Sequence, residues 1–183
     1  VRKKKFDVKV KLIQTPSQSI RPIFNLCKIN AKQVIQNHIS KEYKYTFAFN
    51  ELKNSMGLSN DIKKIEAYDV SHISGSHAVA SCIVFTNLGS QKKEYRLFNI
   101  PKDLSGNDVG SIEHVLERRI KYYENPEIRP DVILIDGGKN QLNYSQSVIN
   151  KSKYKNIKVI SIVKGSNRRR ATETILSQNG IIE

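Results

Sequence analysis

The carboxylates of Asp69 and Asp136 are the side chains best suited to chemistry, because each closes a run of strand-forming residues. Asp136 ends the stretch Pro130-Asp131-Val132-Ile133-Leu134-Ile135-Asp136 and is followed by Gly137-Gly138-Lys139. The apolar run Val132 to Ile135 is long enough for a strand buried on both faces. Two glycines after it let the backbone turn tightly and leave the space around the carboxylate open. Asp69 comes near the end of Lys64-Ile65-Glu66-Ala67-Tyr68-Asp69-Val70-Ser71-His72, where Ile65, Ala67 and Asp69 alternate with Glu66, Tyr68 and Val70. A turn at Ser74-Gly75-Ser76 follows. In open α/β sheets, sites lie outside the carboxyl ends of the strands. If these two strands are neighbours, Asp69 and Asp136 face each other across one sheet edge. Two unpaired carboxylates that close repel, and one tends to stay protonated. A divalent cation removes the conflict, and Mg²⁺ takes one or two carboxylates plus water and phosphate oxygens.

The elements that must position these acids are readable from periodicity. Residues 1–23 are basic and polar, with a short alternating run from Phe6 to Ile13; the rest reads as a linker or the remainder of a preceding domain. Residues 24–40 carry Phe24, Cys27, Ala31, Val34, Ile35 and His38 near helical spacing, and residues 42–55 continue it to a stop at Gly57. Its aromatic residues read as a packing face. Strands are expected at 64–70, 77–85 and 93–99, joined by short turns as an antiparallel meander. A helix is expected from Asp108 to Tyr123, a strand at 131–136, a helix at 140–150, a strand at 157–163 and a last short strand at 174–177. Helical crossovers join parallel strands, so the fourth and fifth strands should extend the sheet beside the first. The expected class is α/β, with a ribonuclease H-like mixed sheet and an N-terminal helical extension. The expected division is a basic linker and helical extension over 1–60 and the sheet domain over 61–183.

Composition narrows the partners. The net charge is +14, from 31 basic and 17 acidic residues in 183, which points to a polyanion such as nucleic acid. The bland alternative is a lysine bias affecting all surfaces alike. No apolar run approaches the roughly 20 residues of a membrane span, and the start, Val1-Arg2-Lys3-Lys4-Lys5, has no secretory signal pattern. Cys27 and Cys82 read as two small buried residues in a reducing cytoplasm rather than a disulfide. The absence of an initial Met, and a C-terminus soon after an apparent strand, suggest a piece of a longer protein.

Several motifs, taken in order, resemble one family. Ile65 to His72 is similar to I-E-x-[FY]-D-[IV]-S-H, the first strand of the endonuclease domain of UvrC, the C component of the ABC excinuclease. Val79 to Phe85 and Tyr95 to Ile100 resemble that family's second and third strands. Gly106-Asn107-Asp108-Val109 stands where it has G-D-D-[YF], and Val115-Leu116-Glu117-Arg118-Arg119 resembles its V-L-x-R-R. Pro130 to Leu142 resembles P-D-L-I-L-I-D-G-G-K-G-Q-L, Ile162 to Gly165 resembles G-L-A-K-G, and Glu173-Thr174 its E-T. The upstream Ile29-Asn30-Ala31 is similar to its I-N-A helix, so the likeness spans roughly residues 20–180. The resemblance implies a ribonuclease H-like fold and divalent-metal hydrolysis of a DNA phosphodiester on the 5′ side of a lesion, in bacterial nucleotide excision repair. Mg²⁺ or Mn²⁺ is the implied cofactor. Damaged double-stranded DNA and the B component of the excinuclease are the implied partners, in the cytoplasm and with no membrane. A further catalytic histidine of the family, its helix-hairpin-helix module, its amino-terminal nuclease domain and the segment that binds the B component correspond to nothing in these 183 residues.

The implied catalytic and metal-binding acids are Asp69, Asp108 and Asp136. For Asp69 and Asp136 the plain alternative is a hydrogen-bonded strand-end acid. For Asp108, spacing alone favours a helix N-cap, and the resemblance supplies the catalytic reading. His72, three residues past Asp69, is a candidate for a positioning role near the site; His114 reads as solvated. Lys139 and Lys164 follow the fourth and fifth strands and are candidates for DNA-backbone contact. Arg118 and Arg119 divide between phosphate contact and ion pairing. Arg168, Arg169 and Arg170 form a candidate phosphate-binding loop, or simply solvated charge. Competing readings are a non-catalytic nucleic-acid-binding module, a phosphoacceptor receiver domain, and another ribonuclease H-like enzyme. Acids near a DNA phosphate are unfavourable without a cation, which argues against the first. The meander argues against the second.

Overall fold

The computed structural model describes residues 16–73, 77–164 and 173–182. The possible strand at Phe6–Ile13 and the arginine loop Arg168–Arg170 lie outside them. The chain forms two compact units, Val1–Ser40 and Lys41–Glu183. In the first, helix α1 (Arg21–Ser55) begins. Its side chains Ile23, Phe24, Leu26, Ile29, Val34 and Ile35 are exposed. Cys27 is exposed too, which corrects the expectation of a buried residue there. The expected packing face is therefore not buried in this part of α1.

The second unit is a mixed sheet. Its strands are β1 (Lys64–Ile73), β2 (His77–Thr86), β3 (Gly89–Ser90), β4 (Arg96–Asn99), β5 (Val132–Asp136), β6 (Lys158–Lys164), β7 (Glu173–Ser177) and β8 (Gly180–Ile182). The order across the sheet is β3-β2-β1-β5-β6-β7-β8, with β4 also pairing β2. The strands β1, β5 and β6 run parallel, with β2 antiparallel on one side and β7 on the other. Helices α2 (Asp108–Ile120) and α3 (Lys139–Lys151) make the crossovers. This is the expected ribonuclease H-like arrangement.

Alternation divides the sheet into two faces. One presents Tyr68, Ala80, Cys82, Val84, Ile133, Ile135 and Val159, which pack with Ile112, Val115 and Leu116 of α2 and Leu142, Val148 and Ile149 of α3. On the other face, Ile65, Val132 and Ile160 pack with Phe49, Leu52 and Met56 from the end of α1. These three strand residues lie toward the amino ends of their strands, and Phe85, Leu134, Ile175 and Ile182 pack around the cluster. Gly57 stops α1 with φ +61°. There the N–H of Gly57 donates to the Asn54 carbonyl and the N–H of Leu58 to that of Lys53, a Schellman closure that satisfies the last carbonyls.

The sheet departs from expectation at two places. The third long strand begins only at Arg96, because Lys92–Glu94 form a 3₁₀ turn. Gln91 holds the chain there: its N–H donates to the Val84 carbonyl, and its Nε2 donates to Thr86 Oγ1 at 2.9 Å. Two short strands, β3 and β8, are additions to the expected set. Each is a hairpin return too brief to show a period.

Candidate active site

Beyond the α1 cover, the second sheet face opens into a cavity of about 210 Å³. Ala67, Ile83, Leu134 and Ile162 give it apolar walls, and Asp69, Asp136 and Glu173 also line it. The parallel register pairs Ala67 with Leu134 and Tyr68 with Ile135, so its next step sets Asp69 beside Asp136. Neighbouring strands stand about 4.8 Å apart. Both aspartates are exposed. Ser71 Oγ donates to Asp69 Oδ2 at 2.9 Å, which orients that carboxylate from its own strand. Glu173 opens β7, opposite Lys164 of β6. In the sequence Glu173 stands out only as part of a motif, not as a site residue; its location at the start of a strand flanking the acids is the signal that marks it.

Asp136 belongs here while Asp131, at the other end of the same strand, does not. Asp131 Oδ2 accepts the N–H groups of Lys63 (2.7 Å) and Lys64 (3.0 Å), so it ties β5 to the entry of β1. A larger cavity of about 580 Å³ at that amino end includes Asp61 and Asp131. Asp61 is occupied as well: Lys53 Nζ donates to it at 2.7 Å and holds its carboxyl below the usual value. The acids of the larger cavity thus serve the fold, and the smaller cavity sits at the strand ends where open α/β sheets keep their sites.

The turn after Asp136 is shaped by a side chain. Neither Gly137 nor Gly138 has a positive φ, which corrects the view that both serve the tightness of the turn. A Cβ on Gly137 would come within 1.8 Å of Gln141 Oε1. That oxygen accepts the Gly138 N–H at 2.8 Å, closing the start of α3. Gly137→Ala is expected to displace Gln141 and cost about 1 kcal/mol, the net worth of one such bond. Urea denaturation checks this, and a variant as stable as the parent would contradict it.

The remaining candidates are dispersed. Asp108 is the first residue of α2, exposed and not among the residues lining the cavity. The cap of that helix is Asn107, whose Oδ1 accepts the Gly110 N–H at 2.9 Å, so Asp108 is not the N-cap. His72 lies in β1 opposite Ala78. Lys139 opens α3 and is exposed, and Lys164 ends β6. Arg118 is exposed, with its guanidinium 5.6 Å from the centre of the Phe98 ring.

Arg119 requires a correction, because it is buried rather than available to DNA. Its Nε donates to Glu66 Oε1 at 3.0 Å and its Nη2 donates to the same oxygen. The other oxygen, Oε2, accepts the hydroxyls of Tyr68 and Tyr123, each at 2.6 Å. Burial alone would lower the Arg119 pKa, but the bonds and charge of Glu66 outweigh it and raise it. This cluster clamps α2, which begins with Asp108, onto β1, which carries Asp69.

An all-oxygen set of two adjacent carboxylates, with a third acid on the same cavity, fits a hard divalent cation that retains water ligands. Among the described residues, no three acids, histidines or cysteines stand close enough together to hold an ion by themselves.

A mixed sheet of this order, with two acids at the carboxyl ends of adjacent parallel strands, defines the ribonuclease H-like class. The chain belongs to the family described as the UvrC RNAse H endonuclease domain, whose model matches residues 53–182. It is 39% identical over 146 residues to UvrABC system protein C of Nitrosococcus oceani, covering 80% of this chain and 24% of that protein. It is 34% identical over 151 residues to UvrABC system protein C of Saccharophagus degradans, covering 82% and 25%. The chain thus spans about a quarter of the length of the curated relatives it matches. Among solved structures, it is similar at 16% identity to Ciona intestinalis endonuclease V in complex with an inosine-containing DNA, covering 75% of this chain and 60% of that one at a TM-score of 0.42.

Proposed function

We propose that this domain is a divalent-metal-dependent DNA endonuclease of nucleotide excision repair, hydrolysing a phosphodiester on the 5′ side of a lesion. The observation that carries this reading is the pairing of Asp69 and Asp136 on one cavity, in a chain of an endonuclease-domain family. A bound Mg²⁺ or Mn²⁺ supplies Lewis acidity at the scissile phosphate and a lowered pKa for the attacking water. Asp69 and Asp136 hold that ion, with Ser71 keeping Asp69 in orientation. Asp108, at the start of α2, adds a third aspartate, and His72 has a positioning role. Glu173 orients water from across β6. Lys139 and Lys164 take the DNA backbone on either side. The whole protein engages damaged duplex, and the B component of the excinuclease through regions other than these, in the cytoplasm.

The test is incision of an end-labelled duplex carrying one lesion, with Mn²⁺ and with EDTA, alongside calorimetric Mn²⁺ titration. Metal-dependent cutting on the 5′ side supports the proposal; metal-independent DNA binding with no Mn²⁺ uptake overturns it. Glu173→Gln is expected to weaken Mn²⁺ binding about tenfold, the scale of an outer-shell ligand partner. Unchanged calorimetry would remove Glu173 from the site.

A further inference from the structure

A second cavity, of about 470 Å³, lies between β4 and the last turn of α2. Arg96, Arg118 and Lys121 line it, with Arg119 beside them already balanced by Glu66. No carboxylate lines it among the described residues. Its surface is also apolar: Leu97 is 76% exposed and Tyr122 is 62% exposed. Cations near a helix C-terminus complement its dipole, which accounts for Arg118 and Lys121. That does not account for Arg96, which comes from β4, or for an exposed tyrosine and leucine among the charges.

Two of these cations, Arg96 and Arg118, have ordered surroundings. Arg96 Nη1 donates to the carbonyls of Tyr95 (2.7 Å) and Lys93 (3.1 Å), and Arg118 stacks above Phe98. Fixed cations around an exposed aromatic ring suit a ligand with anionic links and flat apolar faces. A single strand of nucleic acid has both, because its bases are free to stack on a side chain. A duplex keeps its base faces inside the stack. Arg96 lies opposite Cys82 and Phe98 opposite Ala80, which places the groove on the α2 face of the sheet, away from the face that carries Asp69. Leu97, opposite Ser81 and so in the row of Asp69, stands on the edge strand where the two faces meet.

We propose that this groove binds a single-stranded stretch of DNA, with phosphates on Arg96, Arg118 and Lys121 and a base stacked on Tyr122. The choice of DNA rests on the nuclease reading; the groove itself does not. The test uses the whole chain in EDTA, so that neither metal binding nor cleavage contributes. Fluorescence anisotropy follows a labelled oligothymidylate and a duplex of equal length over a salt series. Tyr122→Ala is expected to weaken single-strand binding about tenfold, and Tyr122→Phe to restore it. Arg118→Gln with Lys121→Gln is expected to reduce the salt slope by about 0.7 for each lost contact. The reference is Lys151→Gln with Lys155→Gln, which removes the same charge from exposed positions outside the groove. Thermal melting confirms that each variant is folded. Tyr122→Ala binding within twofold of the parent overturns the proposal, as does a groove variant losing no more than the reference variant. Tighter duplex binding through the same residues overturns the single-strand assignment. A failure of Mn²⁺ to bind at Asp69 and Asp136 would sink the nuclease reading and leave these results standing.

Discussion

Asp136→Ala is expected to lower metal-dependent incision about a thousandfold, equivalent to roughly 4 kcal/mol at 1.36 kcal/mol per decade. The loss follows from geometry. Asp69 and Asp136 stand on adjacent parallel strands at one end of the sheet and line the same cavity. Removing one leaves half of the paired carboxylate set, and Mn²⁺ uptake measured by calorimetry should fall with the activity. The fold should survive, because Asp136 is exposed and is not part of either hydrophobic cluster. Single-strand binding in EDTA should also survive, since Asp136 is absent from the groove beside α2. Incision at parental rate by Asp136→Ala would mean that the chemistry lies elsewhere.

Arg119→Met is expected to destabilise the domain by about 3–5 kcal/mol, the range for breaking one side of a buried ion pair. Glu66 is fully buried, and the variant would leave its carboxylate with only two tyrosine hydroxyls. Urea denaturation measures the loss. Combining Arg119→Met with Glu66→Leu should recover part of it, because the uncompensated buried charge is gone. A single variant within about 1 kcal/mol of the parent would contradict the clamp. The same cluster makes stability fall at alkaline pH. Burial, followed by neighbouring charge from Tyr123 for Tyr68 and from Glu66 for Tyr123, holds both tyrosines well above their ordinary 10.0. Because their folded values are raised, their contribution is complete below pH 10.0 and is lost as pH rises beyond it, where the unfolded chain ionises. Burial likewise pushes the Cys82 thiol from 9.0 up to about 12, so its share begins to fade above pH 9.0.

The sheet was legible because its central strands announce themselves. Val132 to Ile135 is too continuously apolar for an edge, and the alternation through Ala67 and Asp69 assigns Asp69 a face. Arg118 and Arg119 looked alike because adjacent helical residues differ only in direction. The distinguishing signal was present: Arg119 continues the series Ile112, Val115 and Leu116 at helical spacing, so it belongs to the buried side. Glu66 shares its strand face with Tyr68 by the same logic. Charge obscured both, since a lone buried ion is costly and only its partner, 53 residues away, makes it tolerable. The demand for glycine at 137 was not legible, because it comes from the position of one amide side chain. The groove beside α2 was not legible either, for it joins residues from β4 and α2 that no local pattern connects.

The most direct measurement is a crystal of this chain soaked in Mn²⁺ and recorded at the manganese absorption edge. An anomalous peak between Asp69 and Asp136, coordinated by oxygens of both, is the predicted result. A site with the two carboxylates turned apart and no peak between them, at Mn²⁺ concentrations that saturate other binding, would contradict it.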